Sequence, residues 1–455
     1  MSDVNARDTR PIERPQDVWP LYQGCGDGVR VGAEVELAFF DPASPCQCVM
    51  TPAQNAALTA GRDWLHKEPT AETVEIATRA VAPGDLPALL ADAQDKIGRV
   101  TARAASMGLK RSYFQDLPAC TADTLLRNLV DVPRYRAFFG PPRADMADIA
   151  AYFAVCKSNQ VSVSYRDPDH MLSGVRRLYL LAPFLFLLTD NTTGFAEGKP
   201  HAGHSGMHHR TSLGARGGVP PYVFTARDGE EYLRAHIDHV WRNPLFVYYG
   251  PDGALVRVPS GRWESFGALA ARGLGTAANY FLAQSVLWPD VKIAALPGAD
   301  GAVAGHRYEA RMFGVGAWQH AAAALIVAGL ACNDAFAAAV DDILSYHGVT
   351  AQTNTADYAA ARAHGGFFFE TLYGEASMVD FACAFGGALS NAYVGTGLEG
   401  ALEPLLEVCC TGETDGQVNR KRFPTLDACL AWQREYDPDL MADATLCARA
   451  AWRGR

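Results

Sequence analysis

Glu34 and Glu36 are separated by one residue, as are Glu309 and Arg311, and Gln160, Ser162 and Ser164 repeat the spacing. At that period the side chains share one face of a β-strand, while Ala33, Val35 and Leu37, or Val161 and Val163, take the other. Glu75 alternates in the same way with Val74 and Ile76. If these strands lie in one sheet, its two faces differ sharply, one apolar and one acidic. Converging carboxylates repel each other at neutral pH unless they are protonated or hold cations. The expected chemistry is a divalent cation on oxygen ligands, Mg2+ or Mn2+, shared with a phosphate substrate.

The flanks of Glu34 and Glu36, with Gly32 before and Ala38-Phe39-Phe40 after, read as a buried central strand. Charge is costly there unless compensated. The competing readings are an exposed strand face for Glu34 and Glu36, surface charges for Glu68 and Glu75, and a simple ion pair for Glu309 and Arg311. The conjunction of the segments favours a site. There is no Gly-x-x-x-x-Gly-Lys-Ser/Thr phosphate loop, and Gly273-Leu274-Gly275 is too short for a dinucleotide fingerprint. Arg210 and Arg216 have the chemistry to clamp a phosphate or a carboxylate, since guanidinium binds both in a bidentate way. Solvated arginines are the plain alternative.

The elements that must position these groups follow from periodicity and punctuation. Residues 83–110 read as a long helix with an apolar stripe through Leu86, Leu89, Leu90, Ala93 and Ile97. A second helix is expected from His170 to Leu188, kinked or interrupted at Pro183. Residues 191–224 read as a long loop in which His201, His204, His208 and His209 crowd together, more suited to contacting a substrate than to zinc. Gly316–Cys332 reads as a buried Ala-rich helix, and the chain beyond 334 as mostly helical. Strands and helices intermix without regular alternation, which points to an α+β fold around an antiparallel sheet.

With 455 residues, 49% of them hydrophobic, the chain can bury a large core. A net charge of -10 argues against a general nucleic-acid or anionic-membrane binder. Eleven scattered cysteines fit free thiols in a reducing compartment; Cys46-Gln-Cys48 and Cys409-Cys410 lack zinc-site spacing. The apolar runs Leu178–Leu188 and Ala321–Ala331 fall short of the ~20 residues of a membrane span. A cytoplasmic protein is expected.

The ordered motifs resemble the glutamate–cysteine ligase superfamily, in its plant and proteobacterial branch. Gly32-Ala33-Glu34-Val35-Glu36 is similar to the family's opening Gly-x-Glu-x-Glu, and His66-Lys67-Glu68-Pro69 through Glu75-Ile76-Ala77-Thr78 to its second acidic segment. Asn159 to Val163, Glu197-Gly198-Lys199-Pro200, Arg216 to Pro220 and Tyr308-Glu309-Ala310-Arg311 continue the match over roughly residues 30 to 335. The resemblance implies a glutamine-synthetase-like catalytic fold, a curved antiparallel sheet backed by helices. It implies a catalytic domain at 30–335, an N-terminal extension at 1–29 and a helical part at 336–455 packed on the same domain. It implies ATP as co-substrate, an amino acid and an amine as partners, an acyl phosphate between them, and a monomer or homodimer.

By the same resemblance Glu34, Glu36, Glu68, Glu75, Gln160 and Glu309 hold the metal. Arg311, Arg216 and Glu309 act in catalysis, and Arg210, Arg216, Lys199, Ser162 and Arg311 bind substrate or nucleotide. The chain departs from the family after Pro200, where His201 to Arg210 replaces an Arg-x-His-x-Trp run and several aspartates. The resemblance therefore speaks to the reaction more than to the pair of molecules joined. γ-Glutamylcysteine synthesis is the first expectation. The same chemistry on another acid or amine, and a catalytically inert relative, are the alternatives.

Overall fold

The computed structural model describes residues 9–44, 49–140, 146–262, 264–297, 303–364 and 372–435. Cys46 and Cys48 lie outside them. Seven antiparallel strands form the central sheet: β1 (Val31–Phe40), β2 (Leu65–Lys67), β3 (Thr73–Ala77), β4 (Lys110–Ser112), β5 (Asn159–Ser164), β6 (Val291–Pro297) and β7 (Val303–Phe313). Their order is β6-β7-β5-β1-β3-β2, with β4 paired to the far end of β1.

Register decides which side chains share a face. Glu34 lies opposite Gln160 and Glu36 opposite Glu75. Glu309 lies between Ser162 on β5 and Lys292 on β6. Directly paired residues share a face and alternate rows return to it, so these three rows put all the polar groups on one side. The other side carries Val35, Leu37, Val74, Ile76, Val161, Val163, Tyr308 and Ala310, all buried. Each such aliphatic residue contributes roughly 1.5–3 kcal/mol on burial. Together they hold the sheet against three helices: α1 (Leu86–Ser106), α2 (Pro168–Leu188) and α3 (Gln319–Cys332).

Helix α2 runs through Pro183 without interruption, against expectation. Pro183 has no N–H to give the carbonyl four residues back, at Tyr179. Asn354 supplies the missing donor, with Nδ2 at 2.9 Å from the Tyr179 carbonyl. By length and composition α2 could cross a membrane, but 78% of its most apolar stretch is buried inside the fold. Residues 191–224 are not the expected loop. They form a small hairpin (Phe195–Ala196 with Lys199–Pro200) and a helix, Ser205–Thr211, that His204 caps through its ring.

The C-terminal helices reach back to the sheet's surroundings. The Asp415 carboxylate accepts hydrogen bonds from Trp318 Nε1 and Gln319 Nε2, both at 2.8 Å, at the start of α3. Arg420 pairs with buried Asp190 at 3.1 Å, and Gln433 donates to Ser112 on β4 at 2.7 Å. The eight described cysteines are free thiols.

Candidate active site

The polar face of the sheet opens into a cleft of about 560 Å³, part of it open to solvent. Glu34 and Glu36 come to it from β1, Glu75 from β3, Gln160 from β5, and Glu309, Arg307 and Arg311 from β7. Glu68 joins them from the turn between β2 and β3, and Lys292 from β6. Tyr152, Phe153 and Cys156 close one side from the helix Ala147–Val155 and the residue after it. All six side chains expected to hold a cation are thus brought together.

They fall into two groups. Glu36 accepts the Ser158 backbone N–H at 2.7 Å and the Gln160 amide at 2.9 Å, and the same amide reaches Glu75 at 3.4 Å. At the other end Arg311 holds one oxygen of Glu309 at 2.8 Å and Arg307 the other, also at 2.8 Å. Arg307 extends on to Glu34 at 3.3 Å. Ser162 donates to Glu309 at 3.3 Å.

The electrostatics follow this division. Burial pushes the Glu36 carboxyl up, and the nearby Glu75 adds to that, bringing it to about 7. Glu68 is raised well above the usual range by the same two causes, burial first and Glu75 second. Glu34 is raised by burial and by its acidic neighbours, with Arg307 opposing. Burial also works against a charged Glu309, but Arg307, Arg311 and Lys292 override it and hold the carboxyl down near 2. Lys292, buried beside two arginines, is pushed down to about 7.

Five carboxylates thus face three cationic side chains, and the imbalance lies at Glu36 and Glu68. Among the described residues, no three Asp, Glu, His or Cys groups stand as a ready-made metal set. The donors nonetheless fit a hard divalent cation: they are buried carboxylate oxygens, and at Glu36 and Glu68 burial and the neighbouring Glu75 work against the charged form.

Three predicted residues are not in this cleft. Arg216 hydrogen-bonds the carbonyls of Val286 (3.2 Å) and Pro244, and its guanidinium lies 4.1 Å from the centre of the Phe246 ring. Arg210 is committed to Asp290 (2.6 Å) and to the Tyr152 hydroxyl (2.6 Å), one layer behind the cleft wall. Lys199 is exposed on the small hairpin. The two guanidinium groups are used up on sequence-distant segments inside the protein, and the hairpin carries Lys199 away. Ser162 is on the polar face but behind Glu309.

Sequence reasoning missed Arg307 and Lys292. Both had a signal, since Arg307 is two residues before Glu309 and Lys292 alternates with Val291 and Ile293. Tyr152, Phe153 and Cys156 had none, because only packing brings their helix to the cleft.

No protein-family model matches the chain, and no curated protein matches it. Glutamate–cysteine ligase from Francisella tularensis, solved in complex with AMP, superposes with a TM-score of 0.51 at 10% identity, over 95% of this chain and 95% of that one. A bifunctional glutathione synthetase from Pasteurella multocida superposes with a TM-score of 0.44 at 11% identity, over 91% of this chain and 51% of that one, too loosely to weigh. Likeness at such identity concerns architecture: helices and an antiparallel sheet are arranged here as they are in a glutamate–cysteine ligase.

Proposed function

We propose that this protein is an ATP-dependent carboxylate–amine ligase, with glutamate and cysteine as its first candidate substrates. The single observation that carries the reading is the cleft itself. Glu36 and Glu68, buried and pushed up by burial and by Glu75, stand at one end of a sheet face, and fixed cations stand at the other. On this reading the sheet is glutamine-synthetase-like, residues 30–335 form the catalytic unit, and residues 336–455 pack on it. A working place in the cytoplasm accords with the free thiols.

In the reaction, ATP transfers its terminal phosphoryl group to a substrate carboxylate and leaves as ADP. The amine then attacks the acyl phosphate, phosphate departs, and the nitrogen loses a proton as the amide forms. Glu36, Glu68 and Glu75 would hold magnesium or manganese, which supplies Lewis-acid charge to the phosphate oxygens. Gln160 orients Glu36 and Glu75 by donating to both. Arg311, locked by Glu309, faces the transferring group with a positive charge that needs no reorganisation during the step. Lys292 adds a second cation on the same side.

The test is incubation with ATP and magnesium, first with glutamate and cysteine and then with mixed amino acids and amines. ADP release and the mass of any new amide are followed. ADP with γ-glutamylcysteine supports the full reading, and ADP with another amide reassigns the substrates. Absence of ADP with every acid and amine pair sinks it.

A further inference from the structure

Tyr152 reaches the cleft from the helix Ala147–Val155 and is 5% exposed. Arg210 Nη1 donates to its hydroxyl at 2.6 Å from behind the cleft wall. A guanidinium has donors only, so the phenol oxygen accepts in this contact. Its own proton must go elsewhere, and among the described residues no acceptor takes it. Burial raises the Tyr152 pKa above its ordinary value, so the proton stays on at neutral pH. Arg311 shows the same want of an acceptor. Its Nη1 is held by Glu309, but among the described residues its buried Nε has no hydrogen-bond partner. The two groups are close enough to act on each other's ionisation.

One residue ties both groups down. Asp290, just before β6, takes Arg210 Nε on one carboxylate oxygen at 2.6 Å and the Tyr358 hydroxyl on the other at 2.8 Å. Its backbone carbonyl accepts the Arg311 N–H at 2.9 Å. The Tyr152 hydroxyl and the Arg311 main chain thus share a single buried anchor. Fixed donors that lack acceptors are costly in a folded chain, and they suit an incoming anionic oxygen. We propose that Tyr152 contacts the ligand directly, donating its hydroxyl hydrogen to an anionic oxygen held beside Arg311. Arg210 and Asp290 are positioning residues that turn the hydroxyl towards it. The oxygen belongs to the substrate carboxylate or to the terminal phosphate of the nucleotide. This rests on the ligase reading above and deepens it, by naming a ligand contact that the acidic strands do not supply.

Isothermal titration calorimetry on the full-length protein tests this without reference to turnover. The probes are the magnesium complex of β,γ-imido-ATP and, with that complex bound, glutamate. Tyr152→Phe keeps the ring and should weaken one of them about ten- to hundredfold, the scale of a hydrogen bond to a charged group. Weaker nucleotide binding places the contact on phosphate and weaker glutamate binding places it on the carboxylate; either supports the inference. Arg210→Met should weaken the same probe. The double variant Tyr152→Phe/Arg210→Met should be no weaker than Tyr152→Phe alone, since Arg210 acts through the hydroxyl. Losses that add in the double variant overturn the positioning role of Arg210. Unchanged affinity for both probes in folded Tyr152→Phe overturns the inference and leaves the ligase reading standing. Should either single variant fail to fold, the other decides. Where the wild type binds the nucleotide but not glutamate, the nucleotide alone decides. A wild type that binds no nucleotide overturns the ligase reading itself, and the inference with it.

Discussion

At the scale of single residues, the cleft separates side chains that serve chemistry from those that serve folding, even where the residue type is the same. Glu36 is buried, is pushed up to about 7, and accepts hydrogen bonds only from neutral groups. Glu36→Ala should lower turnover at least ~100-fold, the scale of losing one strong electrostatic contributor. The protein should nevertheless stay folded, as circular dichroism and a melting curve will check. Arg216 is the opposite case. It spends its guanidinium on the carbonyls of Val286 and Pro244, and burial pushes its pKa down to about 10. Arg216→Gln should therefore cost about 1–3 kcal/mol of stability in denaturant titrations, from buried carbonyls left without donors. The KM for each substrate should be unchanged, and a raised KM would return Arg216 to the cleft. The period of β7 put Arg311 beside Glu309, but no local pattern showed that Arg216 would spend its guanidinium on the backbone carbonyls of distant segments.

Elements present these residues by period and by close approach. The alternation in β1, β3, β5 and β7 was legible because a period of two places every second side chain on one face whatever the sequence distance between strands. What supports β7 from behind was not legible. Tyr308, between Arg307 and Glu309, points to the back face, where its ring meets helix α2 at Gly174. A Cβ added at Gly174 would lie 2.7 Å from the Tyr308 hydroxyl and 2.9 Å from its ring. The ring is fully buried and has no room to retreat. Gly174→Ala should destabilise the protein by about 1–3 kcal/mol, the range for overpacking a core. It should also reduce turnover, since the displaced strand carries Arg307, Glu309 and Arg311. Retained melting temperature and activity would show that α2 does not set the position of β7. Pro183 misled the sequence reading for a related reason. Whether a helix breaks at proline depends on whether a distant donor, here Asn354, reaches the orphaned carbonyl.

Across the whole molecule, a buried polar layer ties the C-terminal helices to the rest. Asp190 pairs with Arg420, and Asn419 donates to Asn191 at 2.9 Å. Nearby, burial and the charge of Asp190 push the Asp116 carboxyl up to about 7. In the unfolded chain this group loses its proton near its ordinary value, about 3.8. Between those values the folded state binds more protons than the unfolded one, so the contribution of Asp116 favours folding at the acidic end and fades as pH rises towards 7. Asp116→Asn should flatten that part of the stability profile. Urea unfolding at several pH values in this window checks it, and parallel profiles for variant and wild type would rule it out. By itself the sequence determined the two-faced strands, the helices that cover the apolar face, and the acidic character of the other, because these are local patterns of residue type. Tertiary structure decided which charges meet: it brought Arg307 from β7 to Glu34 on β1, drew Lys292 beside Glu309, and withdrew Arg210, Arg216 and Lys199 from the cleft. Pairing of charges depends on register and on packing between distant segments, and neither is written in the period of any one strand.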